Sequence, residues 1–275
     1  MSLSKGFKPR RSALFVPAAN ARALEKARGL AADVIILDLE DAVAPEEKNA
    51  ARERAMAVVR DYAPRETVIR INPAGTPWHA ADLKAARESG ADAILLPKLT
   101  GAGEVTAALA GTSGTPLWAM IETPRALFNA LAIADAGAAC LILGSNDMLH
   151  AMEGRPRGDR ANLHAAMSLC VLAARAAGIT VLDSVHNDLD TTEEFKRACA
   201  TARDFGFDGK SVIHPSQIAT ANRAFSPTPE EIAYAKRVLE AFAAQPGKSV
   251  ITLDRRMLEA LDADIAARIL ARAGL

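Results

Sequence analysis

Three carboxylates within four positions, Asp38, Glu40 and Asp41, close the stretch VIILDLEDAV directly after four consecutive apolar residues. A buried carboxylate without a partner costs several kcal/mol or shifts its pKa, so such a cluster needs a counter-charge, water or a chemical task. Comparable endings recur along the chain. Arg70 and Asn72 close TVIRIN, Lys98 closes AILLPK and Glu122 closes PLWAMIE; Asp147 follows CLILGS, Asp183 and His186 follow ITVL, and His214 closes KSVIH. Glu122 and Asp147 form the sharpest pair. Two carboxylates with open positions suit Mg²⁺, which takes oxygen ligands and keeps waters for a substrate to displace, and the small residues of GSND let backbone approach a ligand. The same pair could be the acid/base dyad of a glycosidase, but Arg70 points to an anionic substrate. Arg70, Asn72 and Glu122 are the candidate substrate contacts, and a forked guanidinium meets a carboxylate better than Lys does.

Each of these residues also has a local reading. Asp41 could serve the start of a helix near Pro45, Lys48 and Arg52 could balance the acids, and His214 before Pro215 reads as hydrogen-bonded support. Solubility alone, however, does not place charge at the end of nearly every apolar run.

The elements that would position these groups are eight short, β-branched runs at 13–18, 33–40, 67–72, 93–98, 116–122, 140–145, 179–185 and 210–214. Successive runs start about 20 to 40 residues apart, room for one crossover helix each, as parallel strands require. Near-continuous apolar strands in eight strand–helix units predict an α/β fold of the TIM (β/α)8 barrel type, whose active sites lie at the C-terminal strand ends. An open doubly wound sheet is the alternative, weakened because no G-x-G-x-x-G follows the first run. The barrel is expected over 11–225 and a C-terminal helical extension over 226–275, where Ser226 or Thr228 can cap a helix opening with Pro229, Glu230 and Glu231. The remaining tail reads as a short extended piece and one more helix.

Composition narrows the classes. Half of the 275 residues are hydrophobic but only 4% aromatic, which suits a helix-rich α/β enzyme better than a β-sandwich. With 33 basic and 33 acidic residues, no global field draws in nucleic acid or a membrane surface. Cys140, Cys170 and Cys199 are too few and too scattered for a disulfide framework or zinc cluster and read as small core residues. MSLSKGFKPRR lacks the apolar core of a signal peptide, and no run approaches the roughly 18 apolar residues of a membrane span, so a cytoplasmic location is expected.

The stretches RRSALFVPAAN, DVIILDLEDAVAPEEKNAAR, VIRIN, AILLPK, IETPRALFNALAIA, LGSNDM, GFDGKSVIHPSQI and FSPTPEEI occur in one order over residues 11 to about 240. In that order they resemble the citrate lyase beta subunit and malyl-CoA lyase group of the HpcH/HpaI aldolase superfamily. The resemblance implies a homotrimeric or hexameric TIM barrel that uses Mg²⁺ to make or break a carbon–carbon bond between an acyl-CoA and an oxo acid. By position, Glu122 and Asp147 would hold the metal, Arg70 would bind the oxo acid, and Glu40 and Asp41 would act beside the metal waters. Arg11 and Lys26 would contact coenzyme A. The tail VITLDRRMLEALDAD resembles a lid over the adjacent subunit's site, with Asp254 as the acid that protonates the acyl-CoA enolate. The expected reaction is a retro-Claisen cleavage of a malyl-, citramalyl- or citryl-type thioester, or its reverse. Alternatives are a citrate lyase beta subunit acting on an acyl-carrier thioester within a complex, and a metal-dependent aldolase or non-lyase ligand-binding barrel. Ala151 stands where the family has a second acid, and Ala126, Ala18 and Ala19 replace expected glycine-containing positions. These departures touch substrate choice and the coenzyme A path rather than the metal pair.

Overall fold

The computed structural model describes residues 8–110, 114–190 and 192–275. The first residues of the N-terminal stretch read above, MSLSKGF, lie outside the described residues. Eight strands follow the apolar runs: β1 (Ser12–Pro17), β2 (Val34–Asp38), β3 (Glu66–Arg70), β4 (Ala93–Leu96), β5 (Leu117–Ile121), β6 (Ala138–Leu143), β7 (Thr180–Asp183) and β8 (Gly209–Val212). They pair in sequence order, all parallel, and β8 returns to β1 through Ala13↔Ser211. That closure makes the TIM barrel the observed fold and excludes the open sheet. The helices between them are α1 (Ala21–Ala27), α2 (Lys48–Val58), α3 (His79–Ser89), α4 (Ala102–Leu109), α5 (Pro124–Phe128), α6 (Ala130–Asp135), α7 (Ser145–Ala151), α8 (His164–Ala177), α9 (Glu193–Phe205) and, after β8, α10 (Pro215–Ala224).

Alternation along each strand splits the core in two. Val34 and Ile36 face the barrel interior with Val68, Leu95, Trp118, Met120, Cys140, Ile142 and Leu182. Ile35 and Leu37 face the helices, as do Ile69, Ile94, Ile121, Leu143 and Val181, packed on Ala51, Met167, Cys170 and Phe195 among others. Both strand faces are therefore dry, which explains runs that are apolar throughout rather than alternating. Each fully buried Ile or Leu contributes about 1.5–3 kcal/mol. The three cysteines are free and buried, and no helix among the described residues is long and apolar enough to cross a membrane.

Residues 10–225 form the barrel unit, and residues 226–275 group separately. The latter comprises α11 (Pro229–Ala243), β9 (Val250–Leu253), β10 (Arg256–Glu259) and α12 (Ala260–Arg272) around a small core of Ala235, Val238, Ile251, Leu258 and Ala266. Thr228 caps α11, its hydroxyl accepting from the Glu231 N–H while Glu231 returns to the Thr228 N–H. The tail differs from the single extended piece expected. β9 and β10 pair antiparallel across a two-residue turn, Asp254-Arg255, both with positive φ (49° and 64°), the backbone of a tight hairpin.

Candidate active site

The site grows from the end of β2. Asp38 and Arg70 are register partners on β2 and β3, and both side chains point inward. The guanidinium donates through Nε and Nη2 to the two Asp38 oxygens, 2.7 Å each. Asp38 also accepts the N–H groups of Glu40 (2.9 Å) and Ala42 (3.2 Å), which turns the chain sharply after the strand. Behind this turn Lys48, from α2, donates to the carbonyls of Leu39 and Glu40 rather than to the acids. Burial alone would push the Asp38 carboxyl up, but Arg70 and the backbone donors outweigh it and hold the carboxyl below its usual range. The same loop presents Glu40, buried, and Asp41, half exposed.

Glu40 is the strained member. Its Oε2 lies 2.9 Å from Arg70 Nη1 but off the donor's axis, so it takes no hydrogen bond. Burial pushes its carboxyl up to about 8; Arg70 and Lys98 oppose this, and Asp41 and Glu122 reinforce it. Arg70 Nη1 also lies 3.4 Å from Asp41 and 3.7 Å from the Met120 sulfur, and the guanidinium stacks on Phe15 at 4.8 Å.

The metal-type pair sits across the rim. Glu122, 1% exposed, immediately follows β5 and accepts the Lys98 N–H on Oε1 at 2.5 Å; its Oε2 is buried with no partner. Burial raises the Glu122 carboxyl, the Lys98 charge and N–H oppose that, and Asp147 adds to the rise. Gly144, just after β6, makes room for it: a Cβ there would lie 2.4 Å from Glu122 Cβ and 2.8 Å from Oε2. Asp147 is the third residue of α7, where the helix N-terminus favours a carboxylate. Lys98 follows β4 with φ of 52° and donates through Nζ to Asp147, with Asp41 at 3.5 Å and Glu40 at 3.7 Å. These acids raise its pKa against the effect of burial. Beside these groups opens a cleft of about 380 Å³. Asp38, Asp41, Arg70, Gly144, Ser145 and Asp147 line its polar side, and Phe15, Met120, Ile142 and Ile213 its apolar side.

No set of three or more His, Cys, Asp or Glu side chains gathers around one point among the described residues. A hard divalent cation would therefore take protein oxygens from two carboxylates and complete its shell with water and ligand, as Mg²⁺ does. The donor chemistry fits: Glu122 Oε2 is buried without a partner, and only the missing Cβ of Gly144 admits the Glu122 side chain at this place.

Within the barrel unit, the structure does not bring every expected residue to this cleft. Asn72 is buried and donates, through its N–H (3.0 Å) and its side-chain amide (2.6 Å), to Asp82, which also takes Arg52. Arg11 precedes β1, at the opposite end of the barrel, and its guanidinium is held by Asp33 at 2.7 and 2.8 Å. Lys26 lies exposed in the last turn of α1. Asp254 belongs to the C-terminal unit and accepts from Arg237 at 2.6 and 2.7 Å. Asp183 ends β7 facing outward, the face opposite Leu182, and is buried in an ion-paired cluster with Lys210 (2.6 Å) and Arg160 (2.6 and 2.8 Å). His214 caps α10, with Nδ1 2.8 Å from the Ser216 hydroxyl. Sequence reasoning assigned no partner role to Asp38 or Lys98 and missed Arg160; a charged residue closing an apolar strand was the available signal for the first two.

Three comparisons bear on this geometry. The family model described as HpcH/HpaI aldolase/citrate lyase matches residues 11–215. The (3S)-malyl-CoA thioesterase of Cereibacter sphaeroides is 44% identical over 270 residues, 96% of this chain and 95% of that protein. Citrate lyase subunit beta of Escherichia coli K12 is 34% identical over 283 residues, 97% and 94% of the two chains. Among solved structures, CitE from Mycobacterium tuberculosis in complex with magnesium, acetoacetate and coenzyme A superposes with a TM-score of 0.82 at 33% identity, covering 96% of this chain and 98% of that one.

Proposed function

The chain belongs to the HpcH/HpaI aldolase/citrate lyase family, and from that premise we propose that it is a Mg²⁺-dependent carbon–carbon lyase. Its proposed substrate is a 3-hydroxyacyl-CoA of the malyl, citramalyl or citryl type, cleaved to an acyl-CoA and an oxo acid, or formed from them. The observation that carries the reading is the buried, unpartnered Oε2 of Glu122 across the rim from Arg70, a site for a cation and a site for a carboxylate on one rim.

In this reading Glu122 and Asp147 would hold the metal, which when bound would supply Lewis-acid charge to the hydroxyl oxygen that becomes the carbonyl of the oxo acid. Asp38 fixes Arg70 in one orientation, and Arg70 Nη1, whose contacts are long or off-axis, meets the oxo-acid carboxylate. Asp41, half exposed on the cleft, takes the proton of the substrate hydroxyl. The electron pair of the carbon–carbon bond then passes to the thioester side as an enolate, and a proton delivered to its carbon completes the acyl-CoA. Asp254, from a neighbouring subunit of a homotrimer or hexamer, is the proposed donor, with residues 226–275 as the lid. The apolar wall of Phe15, Met120, Ile142 and Ile213 excludes water from the enolate. Lys26 is a candidate contact for the coenzyme A phosphates.

Hydrolysis of the same thioester is the second reading, favoured by the 44% identity to a protein named (3S)-malyl-CoA thioesterase. Mass-spectrometric product analysis of a CoA-thioester panel, with and without Mg²⁺, separates the readings. Acyl-CoA plus oxo acid is the expected outcome, whereas free coenzyme A plus the intact hydroxy acid would establish the thioesterase. Turnover only of acyl-carrier thioesters, in the presence of partner subunits, would place the chain in a citrate lyase complex. Glu122→Ala should abolish the metal-dependent reaction in either case.

A further inference from the structure

Lys98 is a charged group at the centre of the rim that has no part in that scheme. Its backbone and side chain serve the two metal-holding acids at once: the N–H donates to Glu122 Oε1 and the ammonium to Asp147. The left-handed backbone, φ of 52°, is unfavourable for a residue with a Cβ, and here it aims the N–H at Glu122. Asp41 and Glu40 lie only 3.5 and 3.7 Å from Nζ, so a small swing of a flexible stem carries the ammonium from Asp147 onto them. Five carboxylates, Asp38, Glu40, Asp41, Glu122 and Asp147, share two cations, Arg70 and Lys98, and Arg70 is committed to Asp38.

We propose that Lys98 is a positioning residue: its ammonium is the resident counter-cation of the metal site, yields Asp147 when a divalent cation arrives, and then holds Asp41 and Glu40 in place. The inference rests on the metal reading above. An ammonium and a divalent ion on one carboxylate repel each other, whereas Asp41, whose contact with Arg70 is long at 3.4 Å, and Glu40 stand within a short swing. The proposed exchange keeps a cation beside each acid pair in both states.

A lysine that merely pairs with Asp147 would on removal tighten Mg²⁺ binding and leave kcat level, and a structural lysine would move neither in a folded variant. The exchange moves them in opposite directions. Removing the ammonium removes a competitor for Asp147, so calorimetric titration of Lys98→Met with Mg²⁺ should show binding tighter by about tenfold. At saturating Mg²⁺ the same variant should lose about tenfold or more in kcat with KM little changed, because Asp41 and Glu40 lose their holder. Lys98→Arg, which keeps the charge, should keep the wild-type metal affinity within about threefold. Equal or weaker Mg²⁺ binding by a folded Lys98→Met overturns the proposal. A crystal structure of the wild-type protein with Mg²⁺ needs no variant: Nζ should lie within hydrogen-bond distance of Asp41 and beyond about 4 Å from Asp147. An ammonium still on Asp147 beside the bound ion overturns it equally. Titration of Glu122→Gln separates the two levels. If that variant binds Mg²⁺ like the wild type, the metal reading itself fails and the exchange with it; if only Lys98→Met departs from expectation, the metal reading stands.

Discussion

The two ends of the barrel handle charge in opposite ways. At the N-terminal end Arg10 lies under the strands with both Glu66 oxygens at 2.7 Å, the Thr180 hydroxyl at 2.8 Å and the Trp118 ring at 4.7 Å. Arg11 is matched by Asp33, and Gly209 lets the Arg10 carbonyl approach so closely that a Cβ would lie 1.8 Å from its oxygen. Each of these two cations has its own acid and its own geometry. Around the cleft at the C-terminal end, apart from the closed cluster of Asp183 with Lys210 and Arg160 on the outer face, five acids share two cations, and two buried carboxylate oxygens, Glu40 Oε2 and Glu122 Oε2, have no hydrogen bond. This closed set of ion pairs holds the strands together and leaves no oxygen of Glu66 or Asp33 free for a cation. An open, negative set gives up stability and retains affinity for a cation, which is the pattern expected where pKa values are pushed from their ordinary range.

If the contrast is right, changes at the upper end should cost activity without stability, and changes at the lower end the reverse. The largest effect is expected from Glu122→Gln. Losing several kcal/mol of charge stabilisation should lower kcat/KM at least about 10³-fold, while the melting temperature stays level or rises because a buried charge that Lys98 compensates only in part is gone. Steady-state kinetics and calorimetric melting on one preparation check both halves. A large fall in melting temperature would make Glu122 a structural residue.

Gly209→Ala is the counterpart. Forcing a Cβ against the Arg10 backbone should cost about 3 kcal/mol, or roughly 6–12 °C in melting temperature. Specific activity of the folded fraction should be unchanged, and a variant that melts normally but turns over slowly would break the division between the two ends.

Arg70→Lys comes next. It keeps the charge but loses the fork shared with Asp38, so kcat/KM should fall about 10²-fold. An unaltered kcat/KM would remove Arg70 from carboxylate binding.

The smallest effect is a pH dependence. Because burial raises the Glu40 carboxyl to about 8, its neutral form is favoured by folding. That contribution is present below the ordinary carboxylate range and is lost as pH rises through about 8. Metal-free wild-type protein should therefore lose melting temperature relative to Glu40→Gln between about pH 5 and pH 8.5, by a few degrees. Parallel melting curves across that range would show that Glu40 is not held neutral.

Much of this architecture was legible in the chain. Every apolar run became a strand, because eight dry, β-branched segments with helix-length spacing have few other ways to bury both faces. Asp38, Arg70, Lys98, Glu122 and Asp147 could be read as rim residues because they close those runs. The turn Asp254-Arg255 was illegible, since it lacks the glycine or asparagine that usually announces two positive φ angles in a hairpin. The side taken by Asp183 was illegible too. Where both faces of a strand are apolar, the pattern has no phase, and only packing showed that Leu182 turns inward and Asp183 outward.

The sequence by itself determined the barrel, the order of its strands and the height at which each charge stands, because hydrophobic periodicity and loop length are local properties. Only the tertiary structure decided the partners: Asn72 with Asp82, Lys48 with two carbonyls, Arg11 with Asp33, Lys98 between two acid pairs, and Glu122 with one oxygen left over. Such pairings depend on distances of a few ångströms between residues tens of positions apart. Those distances exist only once the strands have closed and their shared register has brought the rim together.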